Sequence, residues 1–78
     1  MERRPSRRKR VLKSGKIILG KKHIILCGVR NISESGACLE VARTFAIPTE
    51  FSFAMYAHPP RTCKIVWRDD RSIGVVFI

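Results

Sequence analysis

Short β-branched runs broken by turn formers at intervals of about ten residues leave this chain few folds to choose from. Lys16-Ile17-Ile18-Leu19 and His23-Ile24-Ile25-Leu26-Cys27-Gly28-Val29 flank Gly20-Lys21-Lys22, a hairpin signal. After the turn formers of Asn31 to Gly36, Ala37, Leu39 and Val41 alternate with Cys38 and Glu40, the period of a half-buried strand. Phe51, Phe53 and Met55 repeat the pattern, as do Cys63, Ile65 and Trp67 after a Pro59-Pro60 break. Ile73, Val75 and Phe77 follow the polar turn Arg68-Asp69-Asp70-Arg71. Residues 42 to 50 carry no sustained period and read as a loop with room for one helical turn.

Six such strands, with no segment long enough for a two-turn amphipathic helix, predict an all-β fold, a six-stranded antiparallel barrel or tight sandwich. Closure would protect the strand edges. The expected inward set is Ile17, Leu19, Ile24, Leu26, Leu39, Val41, Phe51, Phe53, Ile65, Trp67, Ile73, Val75 and Phe77. At 78 residues and 45% apolar content the chain makes one small domain with a core of its own.

The charge sits elsewhere. Of a formal +10, residues 1 to 16 hold +7, with eight Lys and Arg against Glu2 alone. A polyanionic partner is the first implication, whether nucleic acid, an anionic membrane surface or a phosphate-bearing small ligand. Residues 1 to 10 have no apolar side chain after Met1 and carry Pro5, so they read as a flexible basic arm, extended until something binds, ahead of a barrel over residues 11 to 78.

Three cysteines without a C-x-x-C pair argue against a secreted disulfide framework and fit a reducing compartment. No apolar region of signal-peptide or membrane-spanning length appears, so the expected location is the cytoplasm, without membrane insertion. His23 and His58 have no second ligand at metal spacing and read as surface histidines. The serines lack a nucleophile-elbow context and no acid-base pair accompanies them, so no enzymatic activity and no cofactor are expected.

Two pieces carry the remaining chemistry. Arg4 and Arg8, like Arg3 and Arg7, are four apart, which in extended chain places both side chains on one side about 13 Å apart at ~3.3 Å per residue. Two guanidinium groups so spaced can engage two separated anions, chelating phosphate or stacking on a purine. Asn31, Ser33 and Gly36 supply an amide, a hydroxyl and a glycine that tolerates positive φ, a set able to read the polar edge of a base. Alone, the first piece reads as a solvated polyanion binder and the second as a plain link between strands. Trp67 reads as core or rim packing, and Arg68 as a ligand contact or merely the start of a turn.

Together and in this order, Arg4-Pro5-Ser6-Arg7-Arg8 and Asn31-Ile32-Ser33-Glu34-Ser35-Gly36 match R-x-x-x-R and [DN]-x-S-x-x-G, and the chain resembles the PilZ domain of bacterial cyclic di-GMP receptors. Ala37, Ile65-Val66-Trp67-Arg68 and Ile73-Gly74-Val75-Val76-Phe77 are also similar to that family. The resemblance implies a six-stranded barrel whose N-terminal arm folds over the nucleotide. Arg4 and Arg8 would grip phosphates and stack on guanine, with Arg7 as a helper, above Asn31, Ser33 and Gly36. It also implies a non-enzymatic module that answers to a downstream protein partner. Many relatives continue into a C-terminal helix, whereas this chain stops at Ile78, which would leave one barrel end open or covered by a partner.

Two other readings compete. One is a basic β-barrel that binds nucleic acid nonspecifically, disfavoured because the six aromatics mostly fall on positions expected to look inward. The other is a PilZ-like adaptor that binds no nucleotide.

Overall fold

The computed structural model describes residues 13 to 78. Six antiparallel strands close into a barrel in the order β1-β2-β3-β6-β5-β4: β1 (Lys13–Leu19), β2 (His23–Ile32), β3 (Gly36–Glu40), β4 (Glu50–Met55), β5 (His58–Arg68) and β6 (Ser72–Phe77). Closure leaves no strand edge unpaired along the barrel wall. The loop between β3 and β4 contains one 3-10 turn, Thr44–Ala46. Both the fold class and that single turn agree with the sequence.

The core is a continuous cluster that includes Ile17, Val29, Leu39, Phe51, Phe53, Ile65, Ile73 and Val75, with Cys27 and Cys63 buried among them. Burial pushes the Cys27 thiol up to about 11 and the Cys63 thiol up to about 12, the second helped by the charge Cys27 would carry. The thiol of Cys63 donates to the Phe51 carbonyl at 3.6 Å. Leu19 and Phe77 are only partly buried against this cluster.

Three expectations need correcting. Ile24 and Leu26 face outward, 51% and 72% exposed, while Ile25, Cys27 and Val29 take the inward places. The run from Ile24 to Val29 has no polar partner set to fix its phase, so the pairing decides it: Ile17 lies inside and faces Ile25, which leaves Ile24 across from Ile18. Trp67 is 47% exposed, for a reason described below. Nor do Pro59 and Pro60 break β5, which starts at His58. These prolines precede the stretch of β5 that pairs with β6, and on the β4 side they sit in an irregularity between Phe53↔Arg61 and Met55↔His58, where no ladder donor is required.

β5 carries two arginines, one at each mouth of the barrel. Arg61 lies opposite inward Phe53 and places its guanidinium 4.1 Å from the centroid of the Phe77 ring at one mouth. Arg68 lies opposite inward Ile73 at the other mouth, where one Nη1 donates to the carbonyls of Thr44 and Ile47, the latter at 2.7 Å. Thr44 is fully buried and donates its hydroxyl to the Asp69 carbonyl at 2.7 Å. Arg68 thus holds the 3-10 turn across the barrel end.

Candidate functional site

Against β3 and β6 respectively, β2 and β5 each carry one extra residue, and both irregularities change which face the next residue occupies. Val29 pairs with Leu39 but Asn31 pairs with Cys38, so Arg30 is accommodated as a bulge and Asn31 emerges on the outer face. On β5, Ile65 pairs with Val75 but Trp67 pairs with Gly74, so Val66 is the extra residue and the indole is turned out of the core. Strict alternation had put Trp67 inside.

The two bulges act on one row. Cys38 is paired with both Asn31 and Gly74, and Gly74 with Trp67, so Asn31, Cys38, Gly74 and Trp67 run side by side across the outer face of β2, β3, β6 and β5. Gly74 offers no side chain, and the Trp67 indole fills the space a Cβ there would need. The result is a flat strip with an amide at one end and an aromatic ring at the other.

Asn31 and Ile32 belong to β2, so the reversal is shorter than the sequence indicated, Ser33 to Ser35. The Ser33 amide donates to the Gly36 carbonyl at 2.8 Å, the Ser35 amide donates to Ser33 Oγ at 3.3 Å, and the Ser33 hydroxyl lies 3.4 Å from the Gly36 carbonyl. The turn is anchored from outside by the Phe77 amide, which donates to the Ser35 carbonyl at 2.8 Å. These weak, exposed contacts leave the Ser33 hydroxyl available to exchange partners with a ligand.

Gly36 has a different task from the one expected. Its φ is not positive; the glycine with positive φ is Gly20, in the β1–β2 turn. What Gly36 allows is close approach, because a Cβ there would collide with the Val75 main-chain carbonyl. The motif glycine therefore seats β3 against β6 beside the turn.

Arg4 and Arg8, with Arg3 and Arg7, lie outside the described residues. The entry of the chain is nevertheless defined: β1 begins at Lys13 opposite Val29, two residues before Asn31 on β2. β1 therefore starts at the barrel end that bears the motif turn.

A comparison with protein families matches the PilZ domain over residues 2–78. The chain belongs to the PilZ domain family. No curated protein and no solved structure matches it.

Two residues join the surface that carries Asn31: Trp67, which the sequence reading placed inside, and Arg30, to which it gave no part. Trp67 shares a row with motif Asn31, yet nothing in the local sequence announces the bulge that exposes it. Arg30 projects from the other bulge and pairs with Glu40, Nε to Oε2 at 3.4 Å, at the edge of the same surface. Arg68, by contrast, is committed to the Thr44 and Ile47 carbonyls at the far mouth and is not part of this surface. The aromatics are also more exposed than alternation suggested: Phe45, Tyr56 and Trp67 are open to solvent, the first two because they sit in connections where no pleat dictates direction.

Proposed function

We propose that this PilZ domain is a non-enzymatic receptor for cyclic di-GMP. In this reading a guanine rests on the outer strip, its polar edge met by Asn31 and Ser33, with Gly36 keeping the surface beneath it flat. Arg4 and Arg8 close over the ligand from the N-terminal arm, chelating phosphate and stacking on the base. Trp67 borders the far side of the strip and supplies an apolar wall.

The observation that carries the reading is the bulge at Arg30. It turns Asn31 outward into the row that ends at Trp67, and does so where the chain enters β1 from its basic arm. A motif serving only as a link between strands would have no use for that placement. The phosphates relieve repulsion among the arm's six Lys and Arg, and their contacts offset an ordering cost of ~1 to 2 kcal/mol per arm residue. Ordering of the arm changes the surface offered to a downstream protein, which is the output of the switch.

Titration calorimetry with cyclic di-GMP at physiological salt on the intact chain, on Arg8→Ala and on Ser33→Ala tests this. Binding at micromolar affinity or tighter, lost in both variants, is the expected result. An intact chain that does not bind overturns it and leaves the nucleotide-independent adaptor. Polyanion binding that depends on the arm but ignores Asn31→Ala and Ser33→Ala would instead identify a nonspecific nucleic-acid binder. Of the exposed aromatics Phe45 and Tyr56 lie in connections and Trp67 alone lies on a sheet face, which offers such a binder one ring rather than a row of stacking platforms.

A further inference from the structure

The barrel mouth beside the motif turn holds a half-open cleft of about 330 Å³, at the small end of ligand-binding cavities. Its floor is apolar: Phe53 and Phe77 stack with centroids 6.3 Å apart, and Met55 and Pro59 continue the wall. One strong charge faces this floor. Arg61 lies over the Phe77 ring and gives one long hydrogen bond, 3.4 Å, to the Glu34 carbonyl.

Among the described residues, that arrangement positions a guanidinium without satisfying it. A guanidinium carries five N–H donors, and a main-chain carbonyl at 3.4 Å takes up one weakly. Among the described residues no carboxylate pairs with Arg61; the ion pair found is Arg30 with Glu40, on the outer wall. The ring beneath Arg61 seats the guanidinium, and among the described residues its other donors are open to a planar anion. His58 is the other basic group lining the cleft, and the acidic one, Glu34, meets Arg61 through its main chain.

We propose that this cleft docks a segment of a partner protein in which an apolar side chain is followed by a carboxylate, the ring or branched chain entering over Phe53 and Phe77 and the carboxylate pairing with Arg61. Charge complementarity selects the acid, and the volume limits the apolar part to one side chain. The site is separate from the outer strip but shares Ser33 and Glu34 with the motif turn as its rim. It makes no use of a bound nucleotide, so its test can succeed or fail whatever cyclic di-GMP does.

The test is amide and arginine side-chain NMR on the full chain without nucleotide, titrated with the blocked tetrapeptide acetyl-Gly-Phe-Asp-Gly-amide and with its Asn counterpart. Saturable shifts gathered on Ser33, Glu34, Arg61 and Phe77 are expected, with the acidic peptide binding about two- to fivefold tighter, the range for an exposed ion pair. Arg61→Gln should abolish that preference and Arg61→Lys retain part of it. Absence of saturable shifts, shifts centred on the Ile24 and Leu26 face, or a preference unchanged in Arg61→Gln would overturn the proposal.

Discussion

Trp67 and Gly74 face one another across β5 and β6, and the indole of the first occupies the volume a side chain on the second would fill. The glycine makes room for an aromatic ring on the outer wall, in line with Asn31. Gly74→Ala should therefore push the ring off the strip. Trp67 is the chain's one tryptophan, so its emission reports the change directly. A shift in emission maximum with a stability loss of about 1 kcal/mol is expected, since an exposed ring can swing aside more cheaply than a buried one. Trp67→Ala, with the strip otherwise intact, should weaken cyclic di-GMP binding by about tenfold, toward the lower end of the range for removing a base-stacking ring, as fits a ring that borders the base.

Gly36 gives a contrasting case, because the obstacle is main chain. A methyl there meets the Val75 carbonyl, which cannot move without disturbing the β3–β6 ladder. Gly36→Ala should cost about 2 to 3 kcal/mol in denaturant unfolding. Ser33→Ala removes only weak exposed hydrogen bonds and should cost less than about 0.5 kcal/mol. Comparable loss of stability in the two variants would contradict this division between a structural glycine and a ligand-facing serine.

The strand count, the barrel and the motif turn were legible because alternation and turn chemistry are local signals. Ile73, Val75, Phe51 and Phe53 face inward as alternation requires. Orientation failed where local signals are silent. The apolar run Ile24 to Val29 is compatible with either phase, and Trp67 is turned out by a bulge at Val66 that is defined by pairing with a strand from elsewhere in the sequence. The site inherits the same limit. Asn31, Ser33 and Gly36 could be picked out as a motif, but the row linking Asn31 to Trp67 exists only once β2, β3, β6 and β5 are in register.

The three cysteines should differ in reactivity. Cys27 and Cys63 are buried with raised thiol pKa values, whereas Cys38 is half-buried on the outer strip. Disulfide exchange with an aromatic disulfide reagent at pH 8 should titrate one thiol in the native chain and three after denaturation.

The same two thiols set an alkaline limit. Their folded-state values, about 11 and about 12, exceed the ordinary 9.0, so the folded form retains protons that the unfolded chain releases. Their contribution is intact below pH 9 and is lost as pH rises from there through 11 to 12. Between about pH 9 and 11 each thiol should lower stability by ~1.4 kcal/mol per pH unit. Urea midpoints measured over this range should fall less steeply in Cys27→Ala than in the parent, once its lower starting stability is subtracted.

Arg68 supplies the last prediction, and the one that separates fold from site. Its guanidinium serves the Thr44 and Ile47 carbonyls and so holds the 3-10 turn over the mouth opposite the motif. Without it those acceptors lose their charged donor, and Thr44, bonded to Asp69, is left as the remaining side-chain tie across that end. Arg68→Gln should cost about 1 to 3 kcal/mol. Cyclic di-GMP affinity, measured well below the unfolding transition, should stay within twofold of the parent, because Arg68 takes the inward register opposite Ile73 and caps the far mouth while its neighbour Trp67 points out. A loss of affinity as large as that of Ser33→Ala would place Arg68 in the binding surface and contradict the inward orientation that the Val66 bulge imposes.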